Sequence, residues 1–155
     1  MNINTPKIQT SPQYKELADI IKSVVLESSD PGAESPLKWL QITKPSIVHP
    51  VDGVIPFVPR QYQVDVLEDW KEHSRLILKS RQLGFSQVFA AECYWKAKFR
   101  APRAELIVSR NEDSAWEFMR YVRQFTRNGD LVKDTAGELE FANGSRIKAE
   151  AATRS

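Results

Sequence analysis

The chain has 155 residues, 41% hydrophobic and 27% charged, the proportions of a folded globular chain and not of a disordered, collagen-like or disulfide-rich one. Twenty-two basic against twenty acidic side chains leave a formal charge of +2, too small to argue nucleic-acid binding from a bulk field. A single cysteine excludes an internal disulfide, and no apolar run approaches the ~18 residues of a membrane span.

The N-terminus, MNINTPKIQTSPQYKELADII, lacks the basic start and apolar stretch of a signal peptide, so a soluble intracellular protein, or part of one, is expected. Prolines divide the chain: seven of the nine lie between Pro12 and Pro59. Residues 1–58 carry 5 basic and 6 acidic side chains, whereas residues 59–155 carry 17 and 14. The first part reads as an appendage and the second as the compact unit. Ser11-Pro12 has the form of an N-cap and first helical residue. Tyr14, Leu17, Ile21, Val24 and Val25 then recur at helical spacing, which predicts a helix over about 12–28. Residues 36–58 read as an extended, proline-interrupted arm, with Ile47, Val48, Val54 and Phe57 available for packing; a plain linker is the alternative.

From residue 60 the pattern sharpens. Gln61 to His73 reads as a helix, with Tyr62, Val66 and Trp70 four apart. Arg75-Leu76-Ile77-Leu78-Lys79 reads as a short buried strand. Ser86 to Lys98 reads as a buried helix bearing Val88, Phe89, Ala90, Ala91, Cys93 and Trp95. Ala104 to Ser109 predicts a second strand. Asn111 caps a helix with Glu112 and Asp113 in its first turn, where the dipole favours acids. Ala115, Met119, Val122 and Phe125 form its apolar face. Glu138 to Ala142 and Arg146 to Ala149 alternate around Asn143-Gly144, a strong hairpin signal. Strand–helix–strand–helix predicts an α/β fold, a parallel sheet flanked by helices with an inserted hairpin.

The stretch that carries chemistry is Lys79-Ser80-Arg81-Gln82-Leu83-Gly84-Phe85-Ser86. It lies between a predicted strand and a predicted helix, the place of a phosphate-binding loop. Against the pattern G-x-x-x-x-G-K-[ST], Gly84 and Ser86 fit, Lys79 replaces the first glycine and Phe85 replaces the lysine. A triphosphate needs amides at a helix start, a flexible cation and a hydroxyl for Mg2+. Gly84 lets the backbone approach, Ser86 can ligate the metal, and Lys79 can reach back across the loop. Arg81 adds a planar second cation suited to charge that develops in phosphoryl transfer. A surface turn with two solvated cations is the competing reading.

Ser80-Arg81-Gln82-Leu83-Gly84-Phe85-Ser86 resembles the phosphate loop S-R-Q-x-G-K-[ST] of the large terminase subunits of tailed bacteriophages, the ATPases that package DNA into capsids. Lys79 and Phe85 together match a subset in which the lysine moves to the front of the loop and an aromatic precedes the hydroxyl. Phe57-Val58-Pro59-Arg60-Gln61-Tyr62-Gln63 resembles the family's adenine-reading segment, with Gln63 the first choice and Gln61 the second. Ile107-Val108-Ser109-Arg110-Asn111 with Ala115 is similar to the second strand and following helix. Phe141 to Ile147 resembles the hairpin before the acidic motif. The resemblance covers roughly 45–155, giving a P-loop ATPase region there and an unassigned appendage over 1–44.

What the resemblance implies is an ATP- and Mg2+-dependent enzyme that moves double-stranded DNA, in the cytoplasm of an infected bacterial host. Lys79 would contact the β- and γ-phosphates, Ser86 would hold Mg2+, and Arg81 would stabilise the transferring phosphoryl group. By the same analogy the partners are the portal protein, on which an oligomeric ring assembles, and the small terminase subunit; no membrane is involved. The acidic pair that ATP hydrolysis needs is missing after an apolar strand, since Glu68-Asp69 and Glu112-Asp113 fall on helices. The chain therefore reads as the N-terminal part of a longer protein, stopping before the acidic strand and the nuclease domain, and is expected to bind nucleotide weakly and without turnover. The alternatives are a helicase-like or other translocating P-loop ATPase, and a non-hydrolysing DNA- or protein-binding module.

Other residues have plainer readings. Cys93 is expected as a core thiol, and His49 and His73 lack partners at zinc-ligand spacing. Trp39, Trp70, Trp95 and Trp116 are expected to pack. Arg120, Arg123 and Arg127 offer a basic face that could touch DNA phosphates, or a solvated helix face.

Overall fold

Ser35 and Pro36 open the first helix by a purely local device. The Ser35 hydroxyl accepts from the Lys38 amide at 3.1 Å, and Pro36, which lacks an N–H, occupies the first turn. Helix α1 (Pro36–Thr43) ends at Lys44, whose φ of 42° closes the last turn onto the Leu40 carbonyl. The computed structural model describes residues 30–49, 51–72, 74–100 and 102–152. The helix expected over 12–28 and His73 lie outside them. Residues 36–58 are not an extended arm. After α1 come strands β1 (Ser46–His49) and β2 (Gly53–Pro56), paired antiparallel as a separate two-stranded sheet.

Helix α2 (Gln61–Glu68) continues as a single 3-10 turn over Asp69–Lys71. Helix α3 (Phe85–Phe99) agrees with the sequence expectation to within one residue at each end and β3 (Ala104–Ser109) matches it, while α4 (Glu112–Arg123) starts after Asn111 as expected but ends before Phe125, a member of its expected apolar face. Asn111 caps α4 through its side chain, 3.0 Å from the Ser114 amide. Strands β4 (Leu131–Thr135), β5 (Glu138–Phe141) and β6 (Arg146–Ala151) complete a sheet of order β3-β6-β5-β4. Only β3 and β6 pair in parallel; β6 with β5 and β5 with β4 are antiparallel. The sheet is mixed, not the parallel sheet expected. Strand β4 was not expected at all.

The segment Arg75–Lys79 also departs from expectation. It forms no strand, and Leu76 and Leu78 are 91% and 92% exposed. A three-residue apolar run states that it would gain from burial but not that a neighbour exists to bury it. No described strand pairs with it, and β3 has a partner on one side only.

The core lies between one face of the main sheet and the helices. Leu139, Phe141, Ile147 and Ala149 bury their side chains there, with Val88, Ala91, Tyr94 and Trp95 of α3 and Ala115, Met119 and Val122 of α4. Trp39 of α1 packs on Tyr94 and Phe125 with ring centroids 5.2 and 5.8 Å away. Trp95 donates its indole N–H to the Gly32 carbonyl at 2.7 Å and meets Trp70 edge-on at 4.7 Å. The Arg100 guanidinium lies over both rings. On the opposite face of the sheet, Leu106 and Val108 are each 61% exposed.

The Asn143-Gly144 turn does more than reverse the chain. The Asn143 amide nitrogen donates to the Ala97 and Lys98 carbonyls at 2.8 and 3.2 Å, filling orphan acceptors at the end of α3. Its side-chain oxygen accepts from the Ser145 amide at 2.9 Å. The hairpin is thereby fastened to the helix that begins at the loop of interest. No helix among the described residues is long and apolar enough to cross a membrane.

Candidate functional site

The candidate loop runs from Lys79 to Ser86 into the start of α3. Two residues in it take left-handed backbone: Gln82 at φ 63° and Gly84 at φ 70°. Gly84 is the N-cap of α3, and without a side chain it caps nothing. Its carbonyl accepts the Gln87 and Val88 amides, the first hydrogen bonds of the helix. The Phe85 and Ser86 amides have no acceptor among the described residues, which leaves a helix start with free donors and the positive end of its dipole. Ser86 is exposed, and its hydroxyl has no partner among the described residues.

Lys79 and Arg81 are both exposed. The Lys79 ammonium donates to the Ser80 carbonyl at 3.3 Å and sits 5.7 Å from the centre of the Phe85 ring. It therefore lies over the residue that stands where the usual loop carries its lysine. Arg81 makes no ion pair among the described residues, so its guanidinium faces solvent there. Phe85 is buried, packing against Tyr62 at 5.8 Å and Phe89 at 6.2 Å. Its side chain anchors the loop and cannot reach a ligand.

Helix α2 braces the loop from the other side. The Gln63 amide nitrogen donates to the Leu83 carbonyl at 3.0 Å, and the Tyr62 hydroxyl donates to the same oxygen at 3.3 Å. The Gln63 side-chain oxygen accepts from the Arg60 amide at 2.9 Å. Gln63 is 5% exposed, and both ends of its amide are engaged within the chain. As placed, it holds the loop and offers no edge to a base. Gln61 is exposed and donates to Asp65 at 2.9 Å.

A buried cluster fixes the approach to the loop. Glu92 on α3 is 2% exposed, and its Oε1 accepts from Arg75 at 2.6 Å and Lys96 at 2.7 Å. Arg75 also donates to the Val66 carbonyl at 2.8 Å, which ties the segment entering the loop to α2 and α3 together. Beside Glu92, burial, then Glu105 and Glu92, push the Cys93 thiol up to about 12. That is the inert core thiol expected. His49 serves a turn, with Nδ1 2.9 Å from Asp52 Oδ2. No group of three His, Cys, Asp or Glu side chains able to hold a metal occurs among the described residues.

The loop residues and the bracing helix thus come together, while Trp116 does not pack as expected: it is 44% exposed. Of the expected basic face, Arg123 is spent on Asp134 at 2.8 Å and on the Thr135 carbonyl, Arg120 stays exposed on α4, and Arg127 lies exposed beyond the end of the helix. The two bracing contacts on Leu83 had no signal in the sequence beyond the positions of Tyr62 and Gln63, because the acceptor is a backbone carbonyl twenty residues on. No family model matches the chain, and no curated protein matches it.

Proposed function

We propose that the chain binds ATP with Mg2+ through residues 79–86, as the N-terminal part of the ATPase region of a terminase large subunit that drives double-stranded DNA into a capsid. The observation that carries this reading is the Lys79 ammonium over the Phe85 ring, at the mouth of a helix whose first amides are free. An ammonium there can serve the oxygens that a lysine at position 85 would otherwise serve. In this reading the Gly84, Phe85 and Ser86 amides cradle phosphate, Lys79 and Arg81 balance its charge, and the Ser86 hydroxyl faces the cation. Bound Mg2+ would neutralise charge on the phosphates. The chain's own residues position and desolvate the anion, with Phe85 and Tyr62 forming the apolar floor under the loop.

The portal protein, the small terminase subunit and a ring assembled on the portal belong to the same proposal, and so does action in the host cytoplasm. The test is titration of the chain with a fluorescent ATP analogue in the presence and absence of Mg2+. Binding that Lys79→Ala removes and Arg81→Ala weakens, with unchanged circular dichroism, supports the reading. Equal affinity in parent and Lys79→Ala sinks it in favour of a non-hydrolysing binding module.

A further inference from the structure

An open concavity lies along α4, lined by no residue of the loop. It has a volume of about 460 Å3 and is lined by Asp113, Trp116, Arg120 and Arg123 of α4 and by Ala136 of the β4–β5 turn. The helical residues fall at i, i+3, i+7 and i+10, one face of the helix. The opposite wall is held: Arg123 donates to Asp134 Oδ1 at 2.8 Å and to the Thr135 carbonyl, clamping the turn against the helix. The Trp116 indole nitrogen reaches the turn backbone, 3.9 Å from where a Cβ on Gly137 would stand.

The three remaining lining groups are all unsatisfied. Trp116 is 44% exposed, and its N–H has no acceptor among the described residues. Asp113 and Arg120 are exposed and have no ion-pair partner among the described residues. Seven residues of helix separate them, about 10 Å of rise, so they do not neutralise one another. The cleft is therefore ordered along its length: a carboxylate acceptor at one end, an aromatic side chain in the middle, an exposed cation at the other.

We propose that this cleft binds a guanosine 5′-phosphate unit. The base would stack on Trp116, the Asp113 carboxylate would accept from the adjacent N1–H and N2–H groups of guanine, and Arg120 would take the phosphate. Adenine presents an acceptor at N1 where guanine presents a donor, so the same carboxylate disfavours it. A base inside a duplex has that edge paired and its faces covered, so the unit must come from a single strand or a free nucleotide. No residue of the 79–86 loop takes part, and the inference stands apart from the ATP reading.

The experiment uses the full chain and fluorescence anisotropy with three fluorescein-labelled octamers: a thymine strand carrying two central guanines, the same strand with two central adenines, and the guanine strand annealed to its complement. Unlabelled GMP is added as competitor. The guanine strand is expected to bind about tenfold more tightly than the adenine strand and more tightly than the duplex. Trp116→Ala and Arg120→Gln should weaken it, and Asp113→Asn should remove the guanine preference alone. Full displacement by GMP near the strand's own dissociation constant identifies the free nucleotide as the ligand; displacement only at far higher concentration identifies a strand. Equal binding of the guanine and adenine strands, or binding indifferent to Trp116→Ala, overturns the proposal.

Discussion

Gln63 and Gly84 fit together because one of them has no side chain: a Cβ on Gly84 would meet the Gln63 amide nitrogen at 2.9 Å. The same glycine holds φ 70°, a backbone that costs an L-residue about 1–2 kcal/mol. Two independent constraints, one steric and one conformational, therefore fall on a single position. Gly84→Ala should lower stability by about 1–2 kcal/mol and weaken ATP-analogue binding by about tenfold. Gln63→Ala costs stability by itself through the lost bonds to Arg60 and Leu83, but the double variant should lose less than the sum of the two single variants, since the clash is gone. Strictly additive losses in urea melts would show that the clash plays no part.

Gln63 was the first choice for reading adenine, yet its amide is committed to Arg60 and Leu83. If it stays committed when nucleotide binds, the loop recognises phosphate and leaves the base unread. ATP and GTP analogues should then bind with similar affinity, and Gln63→Ala should weaken both alike. A preference for ATP that vanishes in Gln63→Ala would mean that the amide leaves Leu83 for the base.

Glu92 receives two cations on one oxygen in the interior of the fold. Removing the carboxylate strands Arg75 and Lys96, which retain some access to water, so Glu92→Ala should cost about 2–3 kcal/mol. Glu92→Gln keeps the shape and one acceptor and should cost less. Thermal melts order the three proteins. A harmless Glu92→Ala would show that the cluster does not hold Arg75 in place.

Burial by itself would raise the Asp130 carboxyl, but the Tyr94 hydroxyl, the Arg127 amide and the Lys98 ammonium outweigh it and keep it below the usual range. A folded-state pKa below the unfolded one gives stability that is complete above the unfolded value, ~3.9, and is lost as pH falls through the folded value. Asp130→Asn should therefore cost about 1–3 kcal/mol near neutral pH. The gap between variant and parent should shrink progressively below about pH 4. A gap that stays constant in urea melts across that range would remove Asp130 as the source.

With its thiol pushed up to about 12, Cys93 should resist alkylation by iodoacetamide at about pH 8 while the chain is folded, and react readily in urea. Mass spectrometry after timed quenching distinguishes the two states. Rapid labelling of the folded chain would mean that the α3 interior opens.

What the sequence announced were features written in neighbouring residues. Asn111 and the two acids after it marked α4, and Asn143-Gly144 marked the hairpin, because a cap and a tight turn are satisfied within a few positions. Ser35-Pro36 carries the same signature that was read at Ser11-Pro12, and α1 could have been found from it. Strand β4 hid because Val132, Lys133, Asp134 and Thr135 are all exposed, so its side chains do not alternate. Arg75–Lys79 was misplaced for the opposite reason: its composition fits burial, but burial depends on a neighbour that no local pattern encodes. At the loop, the identity of the cations was legible in the sequence. The use made of Gln63 was not, since it depends on where α2 meets the Leu83 carbonyl.

Leu76, Leu78, Leu106 and Val108 present large aliphatic side chains to water, and β3 offers an unpaired strand edge beside the last two. Hydration of such surface grows costlier when excluded salts such as sulfate are added, and an open edge gives the molecules a way to meet. Colloidal behaviour follows: the chain should salt out at low ammonium sulfate, adhere to phenyl resin, and scatter light as its concentration rises. Leu76→Lys with Leu106→Lys should raise its solubility without shifting its melting temperature, because neither leucine contributes to what melts.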